Sequence, residues 1–152
     1  MEPENQQIKN IRKIELSINK NLFIVCTIVT LATMVMSLLD FFSRGSFFPS
    51  RISPFYLTVV FIYSFHKELI RWLGEKKERR QGEYFVYSWI ILTTALYVIN
   101  FFSRDYFSYS IEGYRIGTLR DVSFLTMEVL GIFLLTRLLK LLNLYFKDKK
   151  VL

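Results

Sequence analysis

Hydrophobic and polar positions in this chain are separated into long blocks. Leu22 to Leu39 is a run of 18 residues without a charge, and Tyr84 to Phe102 is a second such run of 19. About 20 helical residues cross a hydrocarbon core of about 30 Å. In lipid, a helix pairs every backbone polar group within its own segment. The two blocks therefore predict membrane-spanning helices.

Two further helices are predicted from less regular patterns. One starts at Pro54, and its uncharged part ends at Phe65 after only 12 residues. Because Lys67 and Arg71 can extend their charges toward headgroups, we still expect this helix to span. The other runs from Asp121 to about Phe146. The predicted fold is an all-α integral membrane protein with four transmembrane helices, arranged as two tandem helical hairpins.

The charged blocks divide the chain further. The predicted segments are a cytoplasmic N-terminal segment (1–21), a first transmembrane hairpin (22–73), a basic cytoplasmic loop (74–82), a second transmembrane hairpin (83–146) and a basic C-terminal tail (147–152). In the N-terminal segment, isoleucines at positions 8, 11, 14 and 18 share one helical face. This spacing indicates an amphipathic helix on the membrane surface. The alternative is a partly ordered tail that only supplies positive charge.

Lysine and arginine counts predict the orientation. With a cytoplasmic N-terminus, the outer loops hold 5 of the 20 basic residues and the inner segments hold the other 15. The five outer residues are Arg44, Arg51, Arg104, Arg115 and Arg120. Basic residues are retained on the cytoplasmic side, so both termini are predicted to lie inside.

A five-residue stretch occurs twice, sixty positions apart. Asp40-Phe41-Phe42-Ser43-Arg44 closes the first apolar run, and Asn100-Phe101-Phe102-Ser103-Arg104 closes the second. Repetition at a fixed offset predicts an internal duplication with both copies in the same orientation. The alternative is a chance likeness of two apolar helices that each end in an interfacial aromatic belt.

A polar stripe precedes each copy of the repeat. In the first helix it comprises Thr27, Thr30, Thr33, Ser37 and Asp40; the positions sixty residues later are Tyr87, Ile90, Thr93, Tyr97 and Asn100. Hydroxyl and small side chains in bilayer helices commonly mark helix–helix contacts. We therefore favour packing over the other interpretation, a path for a substrate or ion.

Two groups of ionisable residues are candidates for chemistry. Glu128 falls within the fourth helix, where a charge is costly and by default indicates function. It could form a proton- or cation-responsive site with Asp40 and the hydroxyl of Tyr97 or Thr126, or it could be a protonated or paired residue that locks the bundle, with Gly131 permitting close approach. A second polar cluster is predicted at the inner interface, comprising His66, Glu68, Arg71, Arg137 and Lys140.

Most enzymatic and nucleic-acid functions lack a matching pattern. The formal charge of +7 comes from basic clusters beside apolar runs, where anionic lipid headgroups attract them, so we predict no nucleic-acid partner. One histidine and one cysteine are too few for a typical metal site, and no motif of nucleophilic, metallohydrolase or phosphate-loop type occurs. We expect Cys26 to be a packing residue, and we predict no cofactor and no enzyme.

The sequence therefore favours a small non-enzymatic membrane protein. Scaffold, accessory subunit and membrane-remodelling component are the roles considered, with the bilayer, a second copy or a larger membrane protein as partner. The alternative is a transport or pore-forming (holin-like) protomer, in which helices 1 and 3 and Glu128 line a polar path. A third reading is a lipid-modifying enzyme with Glu128 or His66 as base. The expected location is a bacterial cytoplasmic membrane.

Overall fold

Four α-helices and one short 3₁₀ turn form the described part of the chain. The computed structural model describes residues 2–46, 52–72 and 82–148. The helices are α1 (Glu2–Phe42), α2 (Ile52–Trp72), α3 (Gly82–Phe102) and α4 (Thr118–Asp148), and the 3₁₀ turn is Tyr106–Ser108. Three segments are long and apolar enough to cross a membrane: Ser17–Phe42, Gly82–Phe102 and Thr118–Phe146. They indicate an integral membrane protein.

The helix boundaries follow the predicted apolar blocks, with two differences. α3 begins one residue before its predicted start, and α4 begins at Thr118, three residues before Asp121. The larger difference is α1, one continuous helix of 41 residues where we predicted a separate N-terminal segment and a helix from Leu22. No glycine or proline occurs between Pro3 and Gly45, so nothing in the local sequence ends the helix where the charges end.

Some predicted features lie outside the described residues. They are the aromatic residues 47 and 48 of the first loop, most of the basic loop 74–82, and residues 149–152 of the C-terminal tail.

The helices pack as two hairpins that meet through α2 and α4. α1 lies mainly on α2, α3 lies mainly on α4, and α2 also contacts α4. Large apolar side chains on the outer surface of the bundle are exposed, which suits contact with lipid. Inside, the fully buried Trp89 of α3 donates a hydrogen bond from Nε1 to the hydroxyl of the fully buried Tyr56 of α2, at 2.6 Å. This bond joins the two hairpins. It also gives the indole N–H the acceptor that a buried donor needs in an apolar core.

The repeated five-residue stretch forms the same cap at the ends of α1 and α3. After α1, the amide of Gly45 donates to the carbonyl of Asp40 (3.0 Å) and the amide of Arg44 donates to that of Phe41 (3.2 Å). After α3, the amides of Asp105 and Arg104 donate to Asn100 (2.9 Å) and Phe101 (3.1 Å). This pair of bonds is the Schellman motif of helix C-termini. The repeat therefore encodes two equivalent helix caps.

Both caps place an arginine where glycine is usual. Arg44 and Arg104 occupy the left-handed position of the motif, with φ of 55° and 53°. A side chain makes this conformation unfavourable by about 1–2 kcal/mol. The next residue is also left-handed in each cap: Gly45 at φ 72° and Asp105 at φ 62°. At Gly45 an added Cβ would lie 3.1 Å from a side-chain carbon of Ile116, so close packing as well as φ favours glycine there.

The loop between α3 and α4 folds onto the end of α1. After the 3₁₀ turn, Tyr109 and Arg115 form an isolated antiparallel bridge, and the amide of Ile116 donates to the carbonyl of Ser108 at 2.8 Å. Phe107 packs its ring against Phe41 and Phe42, with centroids 4.9 and 5.5 Å away. The 103–117 segment is therefore an ordered cover, and we call this side of the bundle, with Asp40, Asn100 and Thr118, the loop end.

Candidate functional site

The polar stripe of α1 is bonded to its own helix. The hydroxyls of Thr27, Thr30, Thr33 and Ser37 each donate to the carbonyl four residues earlier, at 2.7–2.9 Å. Thr30 and Thr33 are also buried in the bundle. Hydroxyls satisfied in this way need no water or substrate beside them.

The stripe of α3 is bonded to α4. The Oγ1 atoms of Thr93 and Thr126 lie 2.6 Å apart, and the hydroxyl of Tyr97 lies 2.9 Å from Oγ of Ser123. Both pairs are hydrogen bonds between neighbouring helices, of the kind that stabilises helix association in membranes. Tyr97 and Thr126, which we considered as partners of Glu128, are therefore bonded elsewhere.

The two equivalent polar residues Asp40 and Asn100 connect the ends of α1 and α3 to the segment between α3 and the start of α4. Asp40 is buried, and its Oδ2 accepts a hydrogen bond from Oγ1 of Thr118 at 2.6 Å. Asn100 is also buried and donates from Nδ2 to Oδ1 of Asp105 (2.7 Å) and to Oγ of Ser108 (3.0 Å). Oδ1 of Asp40 is buried without a hydrogen-bond partner among the described residues. Both residues thus help to fix the loop end.

Arg44 connects the first hairpin to the loop of the second. Its Nε donates to the carbonyl of Tyr109 and its Nη2 to that of Ser110, each at 2.7 Å. Its guanidinium lies 4.3 Å from the ring centroid of Tyr106, within the range of a cation–π contact. The side chain of the equivalent Arg104 makes no hydrogen bond, ion pair or ring contact within the ranges that the structure covers. Sequence reasoning treated the two arginines alike and missed this difference.

At the opposite side of the bundle, α2, α3 and α4 surround a half-open cavity, which we call the charged-end cavity. Its lining includes Lys67 and Glu68 from α2, Glu83 from α3 and Arg137 from α4. Nη2 of Arg137 donates to Oε1 of Glu83, and the guanidinium also lies over the ring of Phe133. The cavity brings together two members of the predicted inner cluster, Glu68 and Arg137. It adds Lys67 and Glu83, which the sequence did not single out as site residues.

Of the remaining members of that cluster, His66 and Lys140 are not among the described residues that line the cavity. His66 is half-buried, and its Nε2 has no hydrogen-bond partner in the described part of the chain. Lys140 lies one turn beyond Arg137 on α4, outside the lining, and makes an interaction of its own. The side chain of Arg71 lies outside the described part.

Apolar residues form much of the wall of the charged-end cavity. Besides the four charged side chains, its lining includes Val60, Phe85, Val86, Val129, Ile132 and Phe133. It contains about 70 Å³ of space for the centres of water-sized groups, and one water needs about 10–15 Å³ of such space. The hydroxyl of Tyr63, another lining residue, is buried without a hydrogen-bond partner among the described residues. The lining therefore combines four charged side chains, a buried hydroxyl and apolar walls.

Glu128 faces away from the bundle core. It is exposed and lies in an open groove between α4 and α2, with Thr58, Phe61 and Ile132. It makes no hydrogen bond or ion pair with any residue of the described ranges. Gly131, one turn further, has no heavy atom within 4 Å of where a Cβ would be. The structure thus does not bring Glu128 together with Asp40, Tyr97 or Thr126, and Gly131 leaves open space beside it.

The axial spacing of these residues follows from the helix rise. Arg137 is 19 residues after Thr118 on α4, which corresponds to about 28 Å at 1.5 Å per residue. Glu128 is 10 residues after Thr118, about 15 Å along the same axis. Because Arg137 contacts Glu83 in the first turn of α3, the two helices share this level. Glu128 is therefore near the midpoint between the loop end and the charged-end cavity.

Comparison with known proteins adds no further assignment. Among the described residues, no group of three or more histidine, cysteine, aspartate or glutamate side chains is arranged to hold a metal ion. No protein-family model, curated protein or solved structure matches the chain.

Proposed function

We propose that this chain is a non-enzymatic accessory subunit of a membrane complex, and that the α2–α4 groove docks a transmembrane helix of a different protein. The observation that carries the proposal is Glu128, an exposed ionisable side chain about midway along the bundle. An acidic or basic residue at the centre of a single membrane helix is unfavourable by about 2.5–3.5 kcal/mol on insertion scales. A partner that hydrogen-bonds the carboxylate offsets this free energy.

The partner we propose carries a lysine or arginine at mid-membrane depth. In this chain, the segments 22–39, 54–65, 84–102 and 122–136 contain Glu128 as their sole charged residue. A second copy would therefore present no cation at the level of Glu128, whereas a different protein can. Gly131 leaves space for the close approach of a helix backbone, as small residues do at membrane helix interfaces.

The proposal includes four spans with both termini inside. α2 has 21 residues, about 31 Å, the same length as α3. Its residues Tyr56, Val60 and Tyr63 are buried against the other helices, which supports placing it in the bilayer with them. The excess of basic residues on the side of the charged-end cavity supports the orientation.

An internal duplication is part of the same proposal. The matching Schellman caps at offset sixty support it, because their hydrogen bonds and their left-handed arginines correspond one to one. The parallel arrangement of the two hairpins, α1 on α2 and α3 on α4, is consistent with a repeat about an axis along the membrane normal.

The second candidate is a pore-forming or transport protomer. The outward orientation of Glu128 favours a path between subunits over a path through one bundle. Among the described residues, the hydroxyls of Thr27, Thr30, Thr33 and Ser37 are bonded within α1, and those of Thr93 and Tyr97 are bonded to α4. This pairing argues against a row of available donors through the interior of the bundle.

The experiment uses a designed helix in vesicles. A peptide of about 21 leucine and alanine residues with one central lysine is mixed with the full-length protein, and association is measured by fluorescence transfer. We expect association with the wild type, and loss of it for Glu128→Leu and for a host peptide without lysine. The control variant Met127→Leu, which changes an exposed neighbour on the lipid face, should behave as the wild type.

Two results decide against the proposal. Equal association of both peptides with all variants would show that the carboxylate selects no partner. Ion flux from protein alone in vesicles, lost in Glu128→Gln and accompanied by a discrete homo-oligomer in native mass spectrometry, would favour the pore.

A further inference from the structure

The charged-end cavity has the composition of a binding site for an amphiphile. Its lining includes two cations, Lys67 and Arg137, and two carboxylates, Glu68 and Glu83, together with apolar side chains. Glu68 is 5% exposed, whereas the side chains of Glu83 and Arg137 are 18% and 42% exposed. A lining with equal numbers of positive and negative groups favours a ligand that carries both charges, because a purely anionic or purely cationic ligand is repelled by the two groups of its own sign.

The level of the cavity matches that of lipid headgroups. Arg137 is about 28 Å along α4 from Thr118, and a hydrocarbon core is about 30 Å thick. With the loop end at one boundary of the bilayer, the charged residues of the cavity lie at the level of the headgroup layer at the other. An acyl chain can then follow the apolar walls toward the membrane.

We propose that this cavity binds the phosphoethanolamine group of a zwitterionic phospholipid. The phosphate is bound by Lys67 and Arg137, and the ammonium is bound by Glu68 and Glu83. Arg137 has five N–H donors and uses one on Glu83, so donors are left for a phosphate oxygen. The buried hydroxyl of Tyr63, without a partner in the described ranges, supplies a further donor in the wall.

The same geometry selects ethanolamine over choline and glycerol headgroups. An ammonium has three N–H donors for two carboxylates, whereas a quaternary choline has none and is bulkier. A phosphoglycerol headgroup brings a net negative charge and no cation for Glu68. The cavity is also small, about 70 Å³ of space for water-sized groups, which suits a compact headgroup.

The test is lipid retention by the full-length protein in native mass spectrometry. The protein is delipidated in mild detergent and incubated with an equimolar mixture of phosphatidylethanolamine, phosphatidylglycerol and phosphatidylcholine of identical acyl chains. We expect phosphatidylethanolamine to be retained at least about fivefold over each of the others. Glu68→Gln and Tyr63→Phe should reduce this preference to about twofold or less. Lys140→Gln, which removes a charge outside the lining, should retain it.

A soluble competitor shows whether the headgroup or the acyl chain of the lipid supplies the binding. Free phosphoethanolamine at millimolar concentration should displace the lipid from the wild type if the headgroup supplies the binding; no displacement would assign the retention to the acyl chain and overturn the proposal. Equal retention of the three lipids, or a preference for phosphatidylglycerol, would also overturn it. Tyr63→Phe removes one oxygen and leaves the packing ring in place, so its circular dichroism should match the wild type and keep the comparison valid.

Discussion

The two equivalent helix caps predict opposite effects of one substitution at two positions. Replacing Arg104 by glycine relieves a left-handed conformation that is unfavourable by about 1–2 kcal/mol for a residue with a side chain. Glycine also increases the entropy of the unfolded chain, which offsets about 0.5–1 kcal/mol of this stabilisation. Since the side chain of Arg104 makes no hydrogen bond, ion pair or ring contact within the described chain, we expect Arg104→Gly to stabilise the protein by about 0.5–1 kcal/mol.

Replacing Arg44 by glycine relieves the same strain but removes the contacts of its side chain. Two hydrogen bonds from the guanidinium, both at 2.7 Å, are lost. Because Arg44 is only half-buried, we assign each about 1 kcal/mol, below the range for well-buried bonds to charged groups. The contact with Tyr106 adds about 0.5 kcal/mol. After the relief of strain, Arg44→Gly should destabilise the protein by about 1.5–2 kcal/mol.

Reversible unfolding in mixed micelles measures both effects. The fraction of sodium dodecyl sulfate is increased while tryptophan fluorescence and circular dichroism report unfolding, and the free energies of the two variants are compared with the wild type. Arg44→Lys and Arg104→Lys are the controls, because lysine retains the left-handed strain and the charge: the first should destabilise and the second should have almost no effect. Equal stabilisation by both glycine variants would refute the assigned contribution of the Arg44 contacts.

Three further substitutions test the core, the cap and the groove. Tyr56→Phe leaves the buried indole N–H of Trp89 without its acceptor and should lower the free energy of unfolding by about 1–3 kcal/mol, whereas Tyr63→Phe should have a smaller effect in the same titration. Gly45→Ala places a Cβ on a residue at φ 72° and against Ile116 in the loop between α3 and α4. We expect the free energy of unfolding to fall by at least about 1 kcal/mol. An unchanged midpoint of the unfolding transition would contradict this close contact. Glu128→Leu should raise the stability of the isolated protein in bilayers by about 1–3 kcal/mol while abolishing association with the lysine peptide, and a loss of stability would contradict its exposure to lipid.

The positions of the helices could be predicted from the sequence because lipid requires long uncharged runs. α3 differs from its predicted range by one residue, and its charged flanks explain this accuracy. The start of α1 was missed for a physical reason: a change from polar to apolar residues marks the edge of a membrane but does not break a helix. The repeat could be recognised in the sequence. That it forms a pair of Schellman caps could be seen only from the backbone torsions, since glycine and not arginine is expected at the left-handed position of such a cap.

The orientation of Glu128 was beyond prediction from the pattern. In a water-soluble helix the apolar stripe faces the core and identifies the buried side, but here both the core and the lipid face are apolar. The pattern of apolar residues around Glu128 therefore indicated its depth in the membrane but not which way its side chain faces. The charged-end cavity was missed in part because its four charged residues come from three helices, and Glu83 was read as the start of a helix. Glu68 and Arg137 were selected since charges near a membrane boundary are conspicuous in an apolar chain.

Because α1 is unbroken, its N-terminal part acts as a lever arm on the membrane-spanning part. The residues from Glu2 to Leu16, about 15 in number, precede the segment apolar enough to span, and they extend about 22 Å at the helical rise. A rigid rod of that length converts a tilt of about 10° within the membrane into a displacement of about 4 Å at its far end. Any rearrangement that changes the angle of α1 against α2 would therefore be amplified outside the bilayer without unfolding a hinge.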